Sequence, residues 1–223
     1  MESSTHPSRV EPRLYLITPP RIDDLTVFAA ALEDALAPGG VAALQLRLKS
    51  ADGGPPEAAN VEAAADRLAP ICRRQDVAFI LNDDPNLARA LGADGVHVGQ
   101  QDVAYSVARD LMGPDKTVGV TCHDSMHLAM GAGEAGADYV AFGAFFATET
   151  KDAPTRAPVS LLADWSMATT VPCVAIGGIT PQNCAPLIEA GADYLAVSAS
   201  VWRAAEGPRA VVERFNQAFG WRR

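Results

Sequence analysis

The stretch GADYVAFG at residues 136–143 is one of three near-copies, the others being GADGVHVG (92–99) and GADYLAVS (191–198). Each follows a segment of helical character: PNLARALGA (85–93), MHLAMGAGEAGA (126–137) and PQNCAPLIEAGA (181–192). Glycine just past a helix can adopt the left-handed conformation that ends it. The aspartate then turns the chain, and GVHV, YVAF or YLAV reads as a short buried strand. Helix followed by strand, repeated, implies parallel strands with helices packed outside them. Gly99, Gly143 and Ser198 then stand at carboxyl ends of strands, where α/β proteins place their ligands. Gly-Ala-Asp itself belongs to the opposite end, and Asp94, Asp138 and Asp193 are expected to be turn residues whose loss costs stability before catalysis.

The same alternation covers the whole chain. Strand-like runs occur at 14–17, 41–48, 77–82, 94–98, 117–121, 138–142, 172–176 and 193–197. Between them lie helical segments such as 57–74, where Val61, Ala64, Ala65, Leu68, Ile71 and Cys72 fall on one face. A last helix over about 208–219 presents Val211, Val212, Phe215 and Phe219. Eight βα units in a chain of 223 residues indicate a single (β/α)8 TIM barrel over 13–223, behind a polar tail at 1–12 expected to fray. An open dinucleotide-binding sheet would need G-x-G-x-x-G after an early strand, and the sequence has none. The Gly/Pro-rich ADGGPPE (51–57) follows the second strand and reads as a loop within the barrel.

Composition sets bounds on function. A formal net charge of −9 argues against a nucleic-acid surface, so an anionic substrate needs local cations or a metal. No apolar run has the length of a membrane helix, and the polar start MESSTHPSRVEPR lacks a signal core, so a cytoplasmic location is expected. The four cysteines (72, 122, 173 and 184) show neither C-x-x-C spacing nor a disulfide-dense pattern, and read as core thiols.

The strand ends carry the chemistry. The second run ends in QLRLK, and period two puts Gln45, Arg47 and Lys49 on one side. A barrel strand covered by helices has no solvent-facing edge, so an arginine and a lysine pointing together near the mouth suit an anion. LNDD and HVGQQD bring Asn82, Asp83 and Asp102 to adjacent strand ends. Two carboxylates beside an Arg/Lys pair suggest Mg²⁺ held against a polyphosphate. Helix N-capping is the alternative for any one of them, and is the preferred reading for Asp84, just before Pro85. His97 reads as a hydrogen-bonded barrel histidine. After the sixth strand, Thr148, Thr150 and Lys151 offer hydroxyls and a cation. Glycines in IGGIT and Ser198 in VSAS make a phosphate cup after strands seven and eight. Cys122 and His123 are adjacent, but sequence neighbours do not make a catalytic pair, and no activated nucleophile is evident.

In order and on the expected strands, QLRLK, LND, HVGQQD, TETK, AIGGIT and VSAS closely resemble the thiamine phosphate synthase (thiamine-phosphate pyrophosphorylase) family over roughly 13–205. That resemblance implies a cytoplasmic transferase of thiamine biosynthesis with small-molecule substrates and no nucleic-acid or membrane partner. It would join 4-amino-5-hydroxymethyl-2-methylpyrimidine diphosphate to a thiazole phosphate by a dissociative substitution, releasing pyrophosphate. It assigns Gln45, Arg47, Lys49, Asn82, Thr121 and Lys151 to the pyrimidine diphosphate, with Arg47, Lys49 and Lys151 acting in catalysis. Asp83 and Asp102 would bind Mg²⁺, and Thr148, Thr150, Gly178, Val197 and Ser198 would hold the thiazole phosphate. Homo-oligomerisation is compatible with this reading. Three positions depart from the family pattern: Thr121 replaces a usual serine, Ala147 a proline and Pro158 a glycine. The rivals are a thiazole tautomerase, for which His123 would be the proton-transfer residue, and a silent barrel that binds thiamine intermediates. The silent barrel predicts loss of Asp83, Asp102 or Lys151, and all three are present.

Overall fold

The Gly-Ala-Asp phrase does two jobs in the computed structural model, which describes residues 11–147 and 156–220. Gly92, Gly136 and Gly191 all take positive φ (65°, 97° and 102°), ending the preceding helices. Each aspartate then clasps one residue of the neighbouring strand. Asp94 donates its backbone N–H to the Phe79 carbonyl (2.9 Å), while its carboxylate accepts the Phe79 N–H (2.9 Å). Asp138 does the same to Val118 (3.1 and 2.6 Å) and Asp193 to Cys173 (3.1 and 2.8 Å). The carboxylate thereby satisfies a buried N–H at the start of one strand from the residue that leads into the next.

The described elements are β1 (Arg13–Ile17), α1 (Leu25–Leu36), β2 (Val41–Leu46), α2 (Ala58–Arg74), β3 (Ala78–Asn82), α3 (Pro85–Ala90), β4 (Gly95–Val98), α4 (Tyr105–Met112) and β5 (Thr117–His123). They continue with α5 (Met126–Glu134), β6 (Tyr139–Gly143), α6 (Ser160–Ala168), β7 (Cys173–Ile176), α7 (Ala185–Glu189), β8 (Tyr194–Val197), α8 (Ala199–Trp202) and α9 (Pro208–Ala218). The strands close in sequence order into a parallel barrel, β8 pairing with β1. This is the (β/α)8 fold expected from the repeat. Of the polar tail expected at 1–12, residues 1–10 lie outside the described residues. Among the described residues, no helix is long and apolar enough to cross a membrane.

Period two sorts the strand residues into two cores. Leu14, Leu16, Leu44, Leu46, Val140, Phe142 and Val197 face the helices. Tyr15, Ile17, Ala43, Ile80, Tyr139, Ala141, Val174 and Ala196 fill the barrel interior. The face expected on α2 is the buried one, and Val211, Val212 and Phe215 anchor α9. Asn216, also buried on α9, donates to the Gly39 carbonyl (3.1 Å) and sits where a Cβ on Gly40 would have to go.

Most boundaries shift by a residue or so from the sequence expectation, and three shifts have a visible local cause. β2 stops at Leu46, because the Arg47 N–H goes to the Thr18 hydroxyl (2.9 Å) instead of a strand carbonyl. β5 runs on to His123 through a register shift against β6. α7 begins only at Ala185, because the Asn183 side chain folds back on the preceding loop, bonding the Thr180 N–H and the Gly178 carbonyl.

Candidate active site

The interior side chains of β2 to β5 form a polar arc just below the mouth. Gln45 donates to the Asn82 side-chain oxygen at 2.7 Å. Asn82 is in register with His97 on β4. His97 engages both ring nitrogens, Nδ1 with the Tyr139 hydroxyl (2.9 Å) and Nε2 with the Thr121 hydroxyl (2.7 Å). The opposite wall, from Ile17, Ala141, Val174 and Ala196, is apolar. A ligand on this floor meets hydrogen-bonding groups on one side and hydrocarbon on the other.

Charges gather above the polar arc. The bond from Gln45 to Asn82 shows its inward face, and Arg47 and Lys49, half-buried, follow beyond the end of β2, where strand parity no longer fixes their direction. Lys49 Nζ lies 2.9 Å from the Asp83 carboxylate. Asp83 has φ 69°, a left-handed conformation that aspartate tolerates better than most residues, and its N–H donates to the His97 carbonyl (2.8 Å). Asp102 accepts the Gly99 N–H at 2.7 Å. Burial raises the Asp102 carboxyl above its ordinary range, and the facing Asp83 carboxylate raises it further against the pull of Gly99 N–H and Lys49.

The capping alternative is settled residue by residue. Asp84 caps α3, accepting from the N–H groups of Asn86 and Leu87. Neither Asp83 nor Asp102 caps a helix; the residue before α4 is Ala104, without a side-chain cap. The Asp83 carboxylate is close enough to Asp102 to raise it, a like-charge approach that a divalent cation would relieve. Among the described residues no group of three or more His, Cys, Asp or Glu could enclose a metal. Two carboxylates in an open mouth fit Mg²⁺, which takes its remaining ligands from substrate oxygens and water. A cleft of about 350 Å³ opens beside Lys49 between the loops after β1 and β2.

At the far rim, Gly177 and Gly178 have φ 108° and 59°. Their lack of side chains also lets the loop after β6 lie against them. Phe146 N–H donates to the Gly177 carbonyl (3.1 Å), and a Cβ on Gly178 would overlap the Ala147 carbonyl oxygen. Ser198 precedes α8, its hydroxyl 3.4 Å from the Thr18 carbonyl. The Val197 side chain faces the helices, so only its main chain is available to a ligand. Thr148, Thr150 and Lys151 lie outside the described residues.

Cys122 is fully buried, its thiol directed to the Val120 carbonyl (3.7 Å) and pushed up to about 12 by burial, which fits a core residue. His123 sits beyond the register shift with φ 53°. Sequence reasoning missed Tyr15, Tyr139, Thr18 and Gln100. Gln100 Nε2 donates to the Thr121 carbonyl (2.6 Å) and so ties the Asp102 loop to β5. The one available signal was parity, which turns Tyr139 inward opposite Gly119, where a Cβ would overlap its ring.

Residues 14–201 match the family model described as thiamine monophosphate synthase. A thiamine-phosphate synthase of Rhodospirillum centenum is 56% identical over 205 residues, 92% of this chain and 96% of the relative. One from Hyphomonas neptunium is 50% identical over 217 residues, 97% and 98% of the two chains. Among solved structures, the thiamine phosphate pyrophosphorylase of Pyrococcus furiosus superposes with a TM-score of 0.80 at 29% identity, covering 93% of this chain and 95% of its own.

Proposed function

The chain belongs to the thiamine monophosphate synthase family, and from that premise we propose that it joins a hydroxymethylpyrimidine diphosphate to a thiazole phosphate at the mouth of its barrel. The observation that carries this reading is the meeting of the Asp83 and Asp102 carboxylates with Lys49 at the edge of the polar arc. Gln45 and Asn82 have the donors and acceptors to hold the aminopyrimidine. Arg47, Lys49 and Lys151 take the diphosphate. When its bond to the pyrimidine methylene breaks, the electron pair leaves with pyrophosphate and these cations stabilise the growing charge. The cation left on the methylene is stabilised by the aminopyrimidine ring.

The thiazole nitrogen then supplies the pair for the new C–N bond, so the protein has only to orient it. Thr148, Thr150, Gly178, Ser198 and the main chain of Val197 receive the thiazole phosphate. Asp83 and Asp102 would hold Mg²⁺, which would supply positive charge against the diphosphate. No serine or cysteine nucleophile is required, in keeping with the buried, inert Cys122. Relatives that bear the synthase name over nearly the whole chain favour this over the tautomerase and silent-barrel readings.

Purified protein given both substrates and Mg²⁺ should release thiamine phosphate and pyrophosphate in equal amounts. Arg47→Ala should fold normally and lose most of that turnover. A folded wild type that makes no product but isomerises the thiazole phosphate would return the assignment to the tautomerases.

A further inference from the structure

Four side chains form a hydrogen-bonded line through the barrel interior, from its buried wall to its mouth. The hydroxyls of Tyr15 and Tyr139 are 2.8 Å apart. Tyr139 continues to His97 Nδ1 (2.9 Å), and His97 Nε2 to the Thr121 hydroxyl (2.7 Å). The His97 ring stacks on Tyr139 with planes 19° apart. Tyr139 has room for this because β5 carries glycine at position 119.

The direction of the line is set at its buried end. The Tyr15 hydroxyl bonds to no described residue other than Tyr139, and its surroundings are apolar. Were Tyr139 to donate to it, the Tyr15 proton would be buried without an acceptor, which costs more than any hydrogen bond gained. Tyr15 therefore donates to Tyr139, and the Tyr139 proton goes to His97 Nδ1. That nitrogen must be bare, so the neutral imidazole carries its proton on Nε2 and donates it to the Thr121 oxygen. Thr121, accepting from the imidazole, keeps its own proton free to donate. Burial raises both phenols well above their ordinary range, so each keeps the proton the line needs.

We propose that Tyr15, Tyr139 and His97 are positioning residues that fix Thr121 as a hydrogen-bond donor to the diphosphate of the pyrimidine substrate. Phosphate oxygens only accept, so a hydroxyl held as a donor suits them and disfavours a competing donor group. The Thr121 carbonyl is tied by Gln100 to the loop that carries Asp102, which keeps Thr121 beside that loop. The choice of acceptor rests on the synthase reading above; the direction of the line does not.

The direction is read by two-bond proton–nitrogen correlation of the ¹⁵N-labelled wild type, with His97 assigned by elimination using His6→Gln, His123→Gln and His127→Gln. A bare Nδ1 and a protonated Nε2 are expected. An Nδ1–H tautomer, a doubly protonated ring or an exchanging mixture overturns the proposal. The consequence is read by a kinetic cycle. Thr121→Val should lower kcat/KM for the pyrimidine diphosphate about tenfold or more, with the KM for thiazole phosphate unchanged. Tyr139→Phe should lower the same parameter about threefold to tenfold, and should add nothing in the Thr121→Val background. Full additivity would mean that Tyr139 acts only on the fold. A wild type that makes no product sinks the synthase reading instead, while the tautomer result stands.

Discussion

Replacing Asp138 with alanine tests the repeated Gly-Ala-Asp phrase where it binds most. The carboxylate accepts the N–H of Val118, a fully buried residue, and pairs with Arg109, which also donates to the carbonyls of Gly113 and Lys116. Alanine leaves the Val118 N–H without an acceptor, a loss of about 1–3 kcal/mol. The ion pair adds at most about 1 kcal/mol, since Asp138 is 44% exposed and water screens it. The total, about 1–4 kcal/mol, corresponds in a domain of this size to a fall in Tm of about 2–16 °C. Asp138→Asn keeps an oxygen for Val118 and loses only the charge, so it should cost less than about 1 kcal/mol. Asp94→Ala and Asp193→Ala remove a clasp that has no arginine pair among the described residues, and should fall between the two. Scanning calorimetry gives the Tm values, and steady-state turnover well below them should be unchanged in all four variants. An unchanged Tm in Asp138→Ala would mean that the carboxylate does not hold Val118, and lost turnover at wild-type Tm would make it a site residue.

Other outcomes follow from the mouth and core. Asp83→Asn and Asp102→Asn should each weaken Mg²⁺ binding in calorimetry and reduce kcat/KM about 100-fold or more, with the asparagine at 83 keeping the left-handed backbone. Because the Asp102 carboxyl is raised in the fold, its ionisation opposes folding. That penalty is absent below its unfolded pKa and develops as pH rises past about 4 toward its folded value. Protons compete with the metal over the same window, so the Tm increment from Mg²⁺ should be larger at neutral pH than in mild acid. Gly178→Ala places a Cβ on the Ala147 carbonyl at a left-handed position, and should raise the KM for thiazole phosphate more than that for the pyrimidine diphosphate. The thiols of Cys72 and Cys122, pushed up to about 12 by burial, should not react with Ellman's reagent at about pH 8 until the protein is unfolded, and Cys122→Ala should keep full turnover.

The barrel was legible because each unit repeats local signals: a helix end at glycine, an aspartate, then an apolar strand. Strand parity was equally local, and it placed Gln45 inward as found. The same rule, applied to Ser198, already turns Val197 outward, so only its backbone was ever available. The Asp138 clasp was hidden because an aspartate's partner depends on the stagger between neighbouring strands, which one strand's sequence does not specify. The interior line was hidden for a similar reason: Tyr15 and Tyr139 are 124 residues apart and meet only when the sheet closes. Candidate metal ligands were legible as residue types, but the choice between capping and coordination needed geometry. Asp84 turned out to be the cap, and Asp83 its left-handed neighbour turned to the mouth.

Metal readdition shows whether the Asp83–Asp102 side of the mouth handles a metal-bound diphosphate in a synthase reaction. Protein stripped with EDTA is given both substrates, Mg²⁺ is added stepwise, and thiamine phosphate is measured by fluorescence after oxidation, for wild type and Asp102→Asn side by side. No product is expected before addition, with a saturable return in the wild type and little return in the variant at the same Mg²⁺. Turnover that ignores EDTA, or a variant that recovers as fully as the wild type, would contradict that role for the two carboxylates.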